Sequence, residues 1–156
     1  MAVGVAVRGF LAASPFTLPE SGRSSRDTAS LAGRPAANPP VTRDAPWPDA
    51  RARELATAAC YDCHSNQTRW PPQSHVAPFS WLLTRDVEQG RAKLNFSTWD
   101  EDHGEADDGA EAVAEGSMPP RRYLLAHPDA NLSDAERQVL VDALEAMDRA
   151  RGGGGD

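Results

Sequence analysis

The sequence predicts an all-α fold in which a few helices are separated by long loops. Capping signals and apolar residues at helical spacing recur along the chain, and no alternating apolar and polar run is long enough to predict a strand. The chain has 156 residues, of which 40% are hydrophobic and 25% charged, so one modest globular domain is expected. All four tryptophans fall between positions 47 and 99, which places the core in that stretch.

The first 46 residues differ in composition from the rest of the chain. Met1 to Pro46 is rich in Ala, Gly, Ser, Pro and Arg without a sustained period, so we expect a disordered or linker segment over 1–46. Its one apolar stretch, Ala2 to Val7, lacks a basic leader and is far too short to span a bilayer, so neither a signal peptide nor a membrane anchor is visible. We expect the folded domain at 47–150 and a flexible tail at 151–156.

Two helices are predicted in the first half of this domain. Pro48 and Asp49 suit the start of a helix over Ala50 to Ala59, because Asp favours the positive end of a helix. An irregular loop over 65–78 follows. Phe79 to Lys93 then predicts an amphipathic helix, whose apolar side contains Leu82, Leu83 and Val87.

The second half of the domain begins with an acidic run. Residues 100–111 hold seven carboxylates and no Lys or Arg, which favours a solvated loop. A short helix over Glu111 to Glu115 is expected to end at Gly116. The sequence Ser133-Asp-Ala-Glu136 is a capping box and predicts a last helix that continues to Gly152. Its apolar stripe consists of Val139, Leu140, Ala143, Leu144 and Met147.

The net charge of −7 argues against nucleic-acid binding. Residues 1–46 carry +2, so residues 47–156 carry −9. Nucleic-acid recognition requires a basic surface, whereas an acidic domain attracts a positively charged partner. The partner expected is therefore a protein with a basic docking face.

The segment Cys60-Tyr-Asp-Cys-His64 carries the most specific chemistry in the chain. C-x-x-C-H is the attachment signature of a c-type haem, because two thiols at this spacing reach the two vinyl groups on neighbouring edges of the macrocycle. The adjacent histidine then reaches the iron. We expect one covalent haem c, bound through Cys60 and Cys63, with His64 as an iron ligand.

Three other interpretations of the cysteine pair are weaker. Two inert buried cysteines would not explain the adjacent histidine. A thioredoxin-like redox pair would need a preceding strand in a βαβ unit, whereas Arg51 to Ala59 has a helical pattern. A zinc site with Cys60, Cys63, His64 and His75 would require adjacent ligands to face one small tetrahedral ion, which strains the site.

The second axial ligand of the iron is sought among five residues. Met118 is favoured, because it lies in a turn and the two prolines that follow fix its backbone. His75 is the alternative, since it lies in the loop just after the haem motif, and the choice between these two stays open. The remaining candidates are Met147, His103 and His127, which are explained by a core position, a solvated loop and a turn, respectively.

These residues predict a protein that moves single electrons. A haem with both axial positions filled suits an electron carrier more than an enzyme. The alternative is an open axial site, as in a peroxidase-like enzyme or a gas or redox sensor, with His75 or Arg121 as the distal group. The residues expected to form the haem pocket are Trp70, Trp81 and Tyr123, together with Phe79, Leu82, Phe96 and Trp99.

From about Asn38 to Met147 the chain resembles the small bacterial haem-binding domain family, a cytochrome-c-like group. The matching pieces are Asn38-Pro-Pro-Val41, Cys60-Tyr-Asp-Cys-His-Ser-Asn66, Thr68-Arg69-Trp-Pro71, Ser74-His-Val-Ala-Pro78 with Ser80-Trp-Leu82, Leu94-Asn-Phe-Ser97 with Trp99, Met118-Pro-Pro120 with Tyr123, and Leu132-Ser-Asp-Ala-Glu-Arg137.

The resemblance implies a mono-haem c-type domain with His64 and Met118 as ligands. It also implies an extracytoplasmic setting in a bacterium, periplasmic or membrane-associated, commonly behind an N-terminal anchor. The chain departs from the family in two ways. Pro72-Gln73 and Arg121-Arg122 stand where members usually have aromatic residues, and no anchor is visible.

Overall fold

The computed structural model describes residues 37–101 and 106–152. They form six α-helices, α1 (Ala50–Ala59), α2 (Tyr61–His64), α3 (Phe79–Lys93), α4 (Ala106–Ala114), α5 (Arg121–Leu124) and α6 (Asp134–Gly152), and two 3₁₀ turns, Pro72–His75 and Pro128–Ala130. The described residues contain no strand, and their sheet-like pairing is an isolated parallel bridge between Arg43 and Thr98. The predicted all-α fold is confirmed. None of the described helices is both long and apolar enough to cross a membrane.

Side-chain caps start the first and last helices, as the sequence predicts. The Asp49 carboxylate accepts a hydrogen bond of 2.8 Å from the Ala52 N–H at the beginning of α1. Before α6, the Ser133 N–H and hydroxyl donate to the Glu136 carboxylate at 2.9 and 2.8 Å, which is the expected capping box. Helix α6 continues to Gly152, as the sequence predicts, and residues 153–156 of the expected tail lie outside the described part.

Part of the acidic run is helical, whereas a solvated loop was expected over residues 100–111. Helix α4 begins at Ala106, five residues before the predicted start at Glu111. Asp107 and Asp108 lie in its first turn, where the partial positive charge of a helix N-terminus stabilises carboxylates. The Ala106 N–H also donates to the Asp148 carboxylate of α6 at 3.0 Å. Residues 102–105, with the candidate ligand His103, lie outside the described residues.

The prediction for the other end of α4 is correct. The chain leaves the helix through Gly116, whose φ of 73° is the left-handed conformation that glycine adopts without steric cost. The buried stripe of α4, formed by Ala106, Ala110 and Val113, belongs to the same core as Leu140, Leu144 and Met147 of α6. The two helices pack along each other.

Phe96 is the centre of an aromatic cluster just after α3. Its side chain is 1% exposed. Its ring centroid lies 5.0 Å from that of Trp47, 5.5 Å from Tyr61 and 6.3 Å from Trp99. The Phe96 N–H donates to the His64 carbonyl at 2.8 Å. The cluster therefore joins the segment that follows α3 to the C-x-x-C-H turn.

Residues 37–46 pack against the domain, although they belong to the segment predicted to be a linker or disordered. The Thr42 and Arg43 N–H groups both donate to the Ser97 carbonyl, at 3.0 and 3.2 Å, and the Ala45 N–H donates to the Phe96 carbonyl at 2.8 Å. Ala45 is buried. This packing had no signal in the sequence, because backbone pairing with a distant segment leaves no periodic pattern. Residues 1–36 lie outside the described part.

Arg91 of α3 gathers three segments of the chain. Its Nε donates to the Ser65 carbonyl at 2.7 Å, and its Nη2 donates to the Thr68 hydroxyl at 2.8 Å and the Asn38 amide oxygen at 2.9 Å. The Trp70 indole N–H donates to the same Asn38 oxygen at 3.1 Å. Burial lowers the pKa of Arg91. The Arg91 guanidinium therefore donates these hydrogen bonds to neutral oxygens, and in this way it holds the loop after α2 in place.

Candidate functional site

Cys60 and Cys63 lie on a single helical turn. Cys60 lies between α1 and α2, where its N–H donates to the Ala56 carbonyl at 2.8 Å, and the His64 N–H returns to the Cys60 carbonyl at 2.9 Å. Both cysteines are free, and each residue as a whole is partly buried. Burial, and to a lesser extent the neighbouring Cys63, raises the pKa of Cys60 to about 12, and burial raises the pKa of Cys63 to about 11. They are therefore neutral thiols at neutral pH, unlike the low-pKa cysteines of thioredoxin-like redox pairs.

Helix α3 approaches this turn at Gly90. A Cβ atom placed on Gly90 would lie 2.5 Å from the Cys63 carbonyl oxygen and 3.1 Å from the Cys63 Cβ. The helix backbone can lie this close to the cysteine segment only because residue 90 has no side chain. Gly90 thus sets the distance between α3 and the C-x-x-C-H turn.

The His64 ring is oriented by a backbone carbonyl. Its Nδ1 lies 3.0 Å from the Leu94 carbonyl oxygen, which can only accept, so Nδ1 carries the proton and Nε2 keeps its lone pair. Burial lowers the pKa of His64, which favours the neutral imidazole that metals bind. A metal-ligating histidine usually donates its other ring N–H in this way, because the hydrogen bond fixes the tautomer and the ring orientation.

Two adjoining cavities, of about 330 and 460 Å³, open beside these residues. Residues shared by both linings are Ala59, Cys60, His64, Lys93 and Met118. The first cavity extends between α4 and α6, and the second extends along α3 toward α5. The walls are mainly apolar, with contributions from Leu94, Phe96, Val113, Leu144, Phe79, Leu82, Leu83 and Val87.

Met118 is the candidate second ligand that the structure brings to the cleft. It lines both cavities with a side chain that is 37% exposed, and its N–H donates to the Ala112 carbonyl at 3.0 Å. His75 ends an exposed 3₁₀ turn, Met147 is buried in the core, and His127 stacks on Tyr123; these three side chains line neither cavity. His103 lies outside the described residues.

The predicted pocket residues divide into two groups. Tyr123, Phe79 and Leu82 line the second cavity, and Phe96 lines the first. Neither lining includes Trp70, Trp81 or Trp99, the three tryptophans predicted to form the pocket. Trp70 donates its indole N–H to Asn38, and Trp81 is 60% exposed. Trp99 is partly buried against the core, and the Arg151 guanidinium lies 3.9 Å from its ring centroid.

A polar group that the sequence pattern does not predict adjoins the second cavity, and we name it the Asp62 cluster (Asp62, Arg69, Tyr123 and His127). Asp62, Arg69 and Tyr123 line that cavity. The buried Asp62 carboxylate accepts from the Arg69 N–H at 3.1 Å, from Arg69 Nε at 3.2 Å and Nη2 at 3.3 Å, and from the Tyr123 hydroxyl at 2.8 Å. The Tyr123 and His127 rings stack with centroids 4.0 Å apart. Burial and the hydrogen bond to Asp62 raise the pKa of Tyr123 well above its usual range, so its hydroxyl remains a donor. A carboxylate between the two cysteines was the available sequence signal.

The donor set and the cavity walls fit a haem better than a metal ion alone. Within 37–101 and 106–152, no three His, Cys, Asp or Glu side chains are grouped so that they could hold a metal ion, and the zinc set with His75 is not assembled. Two thiols, one imidazole with a free lone pair and one thioether instead border a single apolar cleft. Phe79, Leu82 and Met118 are exposed there, and a planar apolar cofactor would cover them.

An all-α domain with this cleft has the features of a haem-binding protein. The sequence model described as the haem-binding domain matches residues 28–146. The chain belongs to this haem-binding domain family, which confirms the resemblance seen in the sequence. No curated protein and no solved structure matches the chain.

Proposed function

We propose that the protein is a one-electron carrier with a single covalently attached haem c, in which His64 and Met118 are the axial ligands. The observation that carries this proposal is that His64 and Met118 line the same two cavities as Cys60, while the free nitrogen of His64 remains available. Haem iron supplies the chemistry, since it alternates between two oxidation states that differ by one electron.

The cysteine turn supports covalent attachment. In thioether formation each S–H adds across one vinyl C=C bond: the sulfur bonds to one carbon and the hydrogen passes to the other, so no oxidant is consumed. Cys60 and Cys63 are free, neutral and held on one turn, and Cys63 lines the second cavity beside Cys60. Both cysteines therefore border the second cavity, which supports attachment of one cofactor through both sulfurs.

The chain's own residues would hold and shield the cofactor. Apolar side chains from α3, α4 and α6 exclude water from the cleft. Lys93, Arg69 and Arg122 also contribute to the linings and offer positive charge to the haem carboxylates. A thioether ligand from Met118 favours ferrous iron and so raises the reduction potential compared with a second imidazole.

The open-site alternative has less support. A peroxidase-like enzyme or a gas sensor needs a polar distal group over the iron. His75 and Arg121, the two groups proposed for that role, line neither cavity. Met118 lines both, which favours a filled axial position and an electron carrier.

The partner and the location are proposed on other grounds. The net charge of −7 suits a redox partner with a basic docking face. Asp108 at the edge of the first cavity would contribute to that attraction close to the haem. The extracytoplasmic, bacterial location rests on the family resemblance described above.

Extraction of the pigment tests the covalent attachment. Holoprotein made with a haem-maturation system should keep its colour on the polypeptide in acid acetone, and the denatured pyridine spectrum should have the form of a haem with two thioether links. Cys60→Ala and Cys63→Ala should each leave one link and shift that spectrum. Complete loss of pigment from the unsubstituted chain into the acetone would refute covalent attachment.

Paired methionine substitutions test the axial ligand. Met118→Leu should remove the sulfur-to-iron absorption of the ferric protein and let the reduced protein bind carbon monoxide. Met147→Leu is the matched control, because Met147 is buried in the core and lines neither cavity. Retention of the absorption in Met118→Leu, or its loss in Met147→Leu, would remove Met118 from the site.

A further inference from the structure

We propose that Tyr123 and Asp62 are positioning residues that hold Met118 at the haem iron through the hydrogen bond between their side chains. The inference rests on the proposed ligation by His64 and Met118. It adds a cause for that geometry: one partly buried hydrogen bond joins the two segments of the chain that supply the two ligands.

The bond lies between these two segments. Asp62 belongs to α2, two residues before His64 on the same turn. Tyr123 belongs to α5, five residues after Met118 and three residues after Pro120. Helices α2 and α5 are each only four residues long, so neither offers an extended face on which the other could pack. Their relative position therefore depends on contacts between individual side chains.

The acceptor of this bond is held rigidly. The Tyr123 hydroxyl lies 2.8 Å from Asp62 Oδ2, and both nitrogen donors of the Arg69 side chain, together with the Arg69 N–H, orient the same carboxylate. Hydrogen bonds to an ionised acceptor are shorter and stronger than neutral ones, and burial strengthens them further. Stacking on His127 restricts the Tyr123 ring from its other side.

The other connections of the Met118 segment are weaker or point elsewhere. The Met118 N–H bonds the Ala112 carbonyl at the end of α4, which is no part of the cysteine turn. Arg122 pairs with Asp86 of α3 at 2.9 Å, but this ion pair is exposed, and exposed pairs contribute little. Met118 is itself 37% exposed rather than packed in the core. Its position over the cleft therefore depends on how α5 is held.

The test is competition for the sixth coordination position in ferric holoprotein. Tyr123→Phe removes one oxygen atom and keeps the ring. We expect it to weaken the sulfur-to-iron absorption and to raise the affinity for added imidazole about tenfold, which corresponds to about 1.4 kcal/mol. Asp62→Asn keeps the shape of the acceptor but not its charge, so we expect a rise of about threefold.

A double substitution and a matched control separate positioning from general loosening. Combining Tyr123→Phe with Asp62→Asn should raise the imidazole affinity no further than Tyr123→Phe alone, because the hydrogen bond that Asp62→Asn weakens is already absent in Tyr123→Phe. Tyr61→Phe is the control: its hydroxyl accepts from the Trp47 indole at 2.9 Å and has no link to the Met118 segment. It should lower stability while leaving the imidazole affinity within about twofold.

Each outcome decides a separate question. An unchanged imidazole affinity in Tyr123→Phe and Asp62→Asn, or an equal rise in Tyr61→Phe, would overturn the positioning role and leave the proposed ligation intact. Absence of sulfur-to-iron absorption in the unsubstituted holoprotein would overturn the ligation, and the positioning role with it. If Tyr123→Phe yields no folded protein, Asp62→Asn alone decides, because it preserves the shape of both side chains.

Discussion

Replacing Gly90 by Ala should destabilise the protein, although alanine is the better helix former. The added Cβ would lie 2.5 Å from the Cys63 carbonyl oxygen, about 1 Å closer than atoms at van der Waals contact. The atom it meets belongs to the backbone of the cysteine turn, which cannot rotate away as the end of a side chain can. Helix α3 and the turn must therefore move apart.

The expected magnitude follows from two opposing effects. Alanine in a helix interior stabilises by up to about 1 kcal/mol relative to glycine. Overpacking a close contact costs about 1–3 kcal/mol, and a backbone clash belongs in the upper part of that range. The net effect is a loss of about 1–2 kcal/mol in the free energy of unfolding. The same shift moves Cys63 away from α3, so less haem should be attached.

Urea unfolding of holoprotein, followed by far-ultraviolet circular dichroism, measures the loss of stability. The absorbance ratio of haem to protein measures the loss of attached haem. Gly109→Ala is the matched control in α4, because its Cβ would meet the flexible end of Leu94 at 3.2 Å. Gly109→Ala should leave the free energy of unfolding unchanged or raise it by up to about 1 kcal/mol. A Gly90→Ala protein as stable as Gly109→Ala, with full haem content, would refute the reasoning.

Three further predictions concern the core and the helix caps. Phe96→Ala should cost about 3–5 kcal/mol in urea unfolding, since this fully buried ring is the centre of the aromatic cluster; a loss below about 1 kcal/mol would show that the cluster contributes little. Asp49→Ala removes the cap on the Ala52 N–H and should cost about 1 kcal/mol, while Asp49→Asn should recover most of it. Hydrogen bonds from the Ser133 N–H and then its hydroxyl lower the pKa of Glu136, so its contribution to stability is complete above the unfolded pKa of about 4.3 and disappears as the pH falls through the folded pKa. The stability difference between the unsubstituted protein and Glu136→Gln should therefore shrink on acidification from pH 7 to about 3, and a pH-independent difference would contradict the capping assignment.

The sequence predicts the elements that local chemistry determines. Helices α1 and α3 have their predicted bounds, and the capping box before α6 lies where Ser133 and Glu136 place it. The start of α4 could not be predicted, because a run of carboxylates favours a solvated loop when only the local sequence is considered. In the structure Asp148, which belongs to another helix, accepts a hydrogen bond from the Ala106 N–H at the beginning of α4. That interaction joins residues 42 positions apart.

The candidate site divides in the same way. The spacing of the cysteines and the histidine is a local pattern, and the prolines after Met118 are a local restraint. The Asp62 cluster depends on a pairing across 61 positions, which has no signature in a single sequence. For Trp70 and Trp81 the sequence indicates that two large side chains are available to a pocket, but it does not tell which way a side chain points, so their role in the haem pocket stays a prediction.

The pairing of residues 42–45 with 96–97 has a practical consequence for anyone who shortens this protein. A version cut at Trp47, where the composition changes, would expose the edge of the segment that carries Phe96 and deprive Arg91 of its Asn38 partner. A shortened version that starts at residue 37 keeps both sets of interactions. Residues 37–46 then still cover the backbone edge beside Phe96 and still supply the Asn38 oxygen to Arg91.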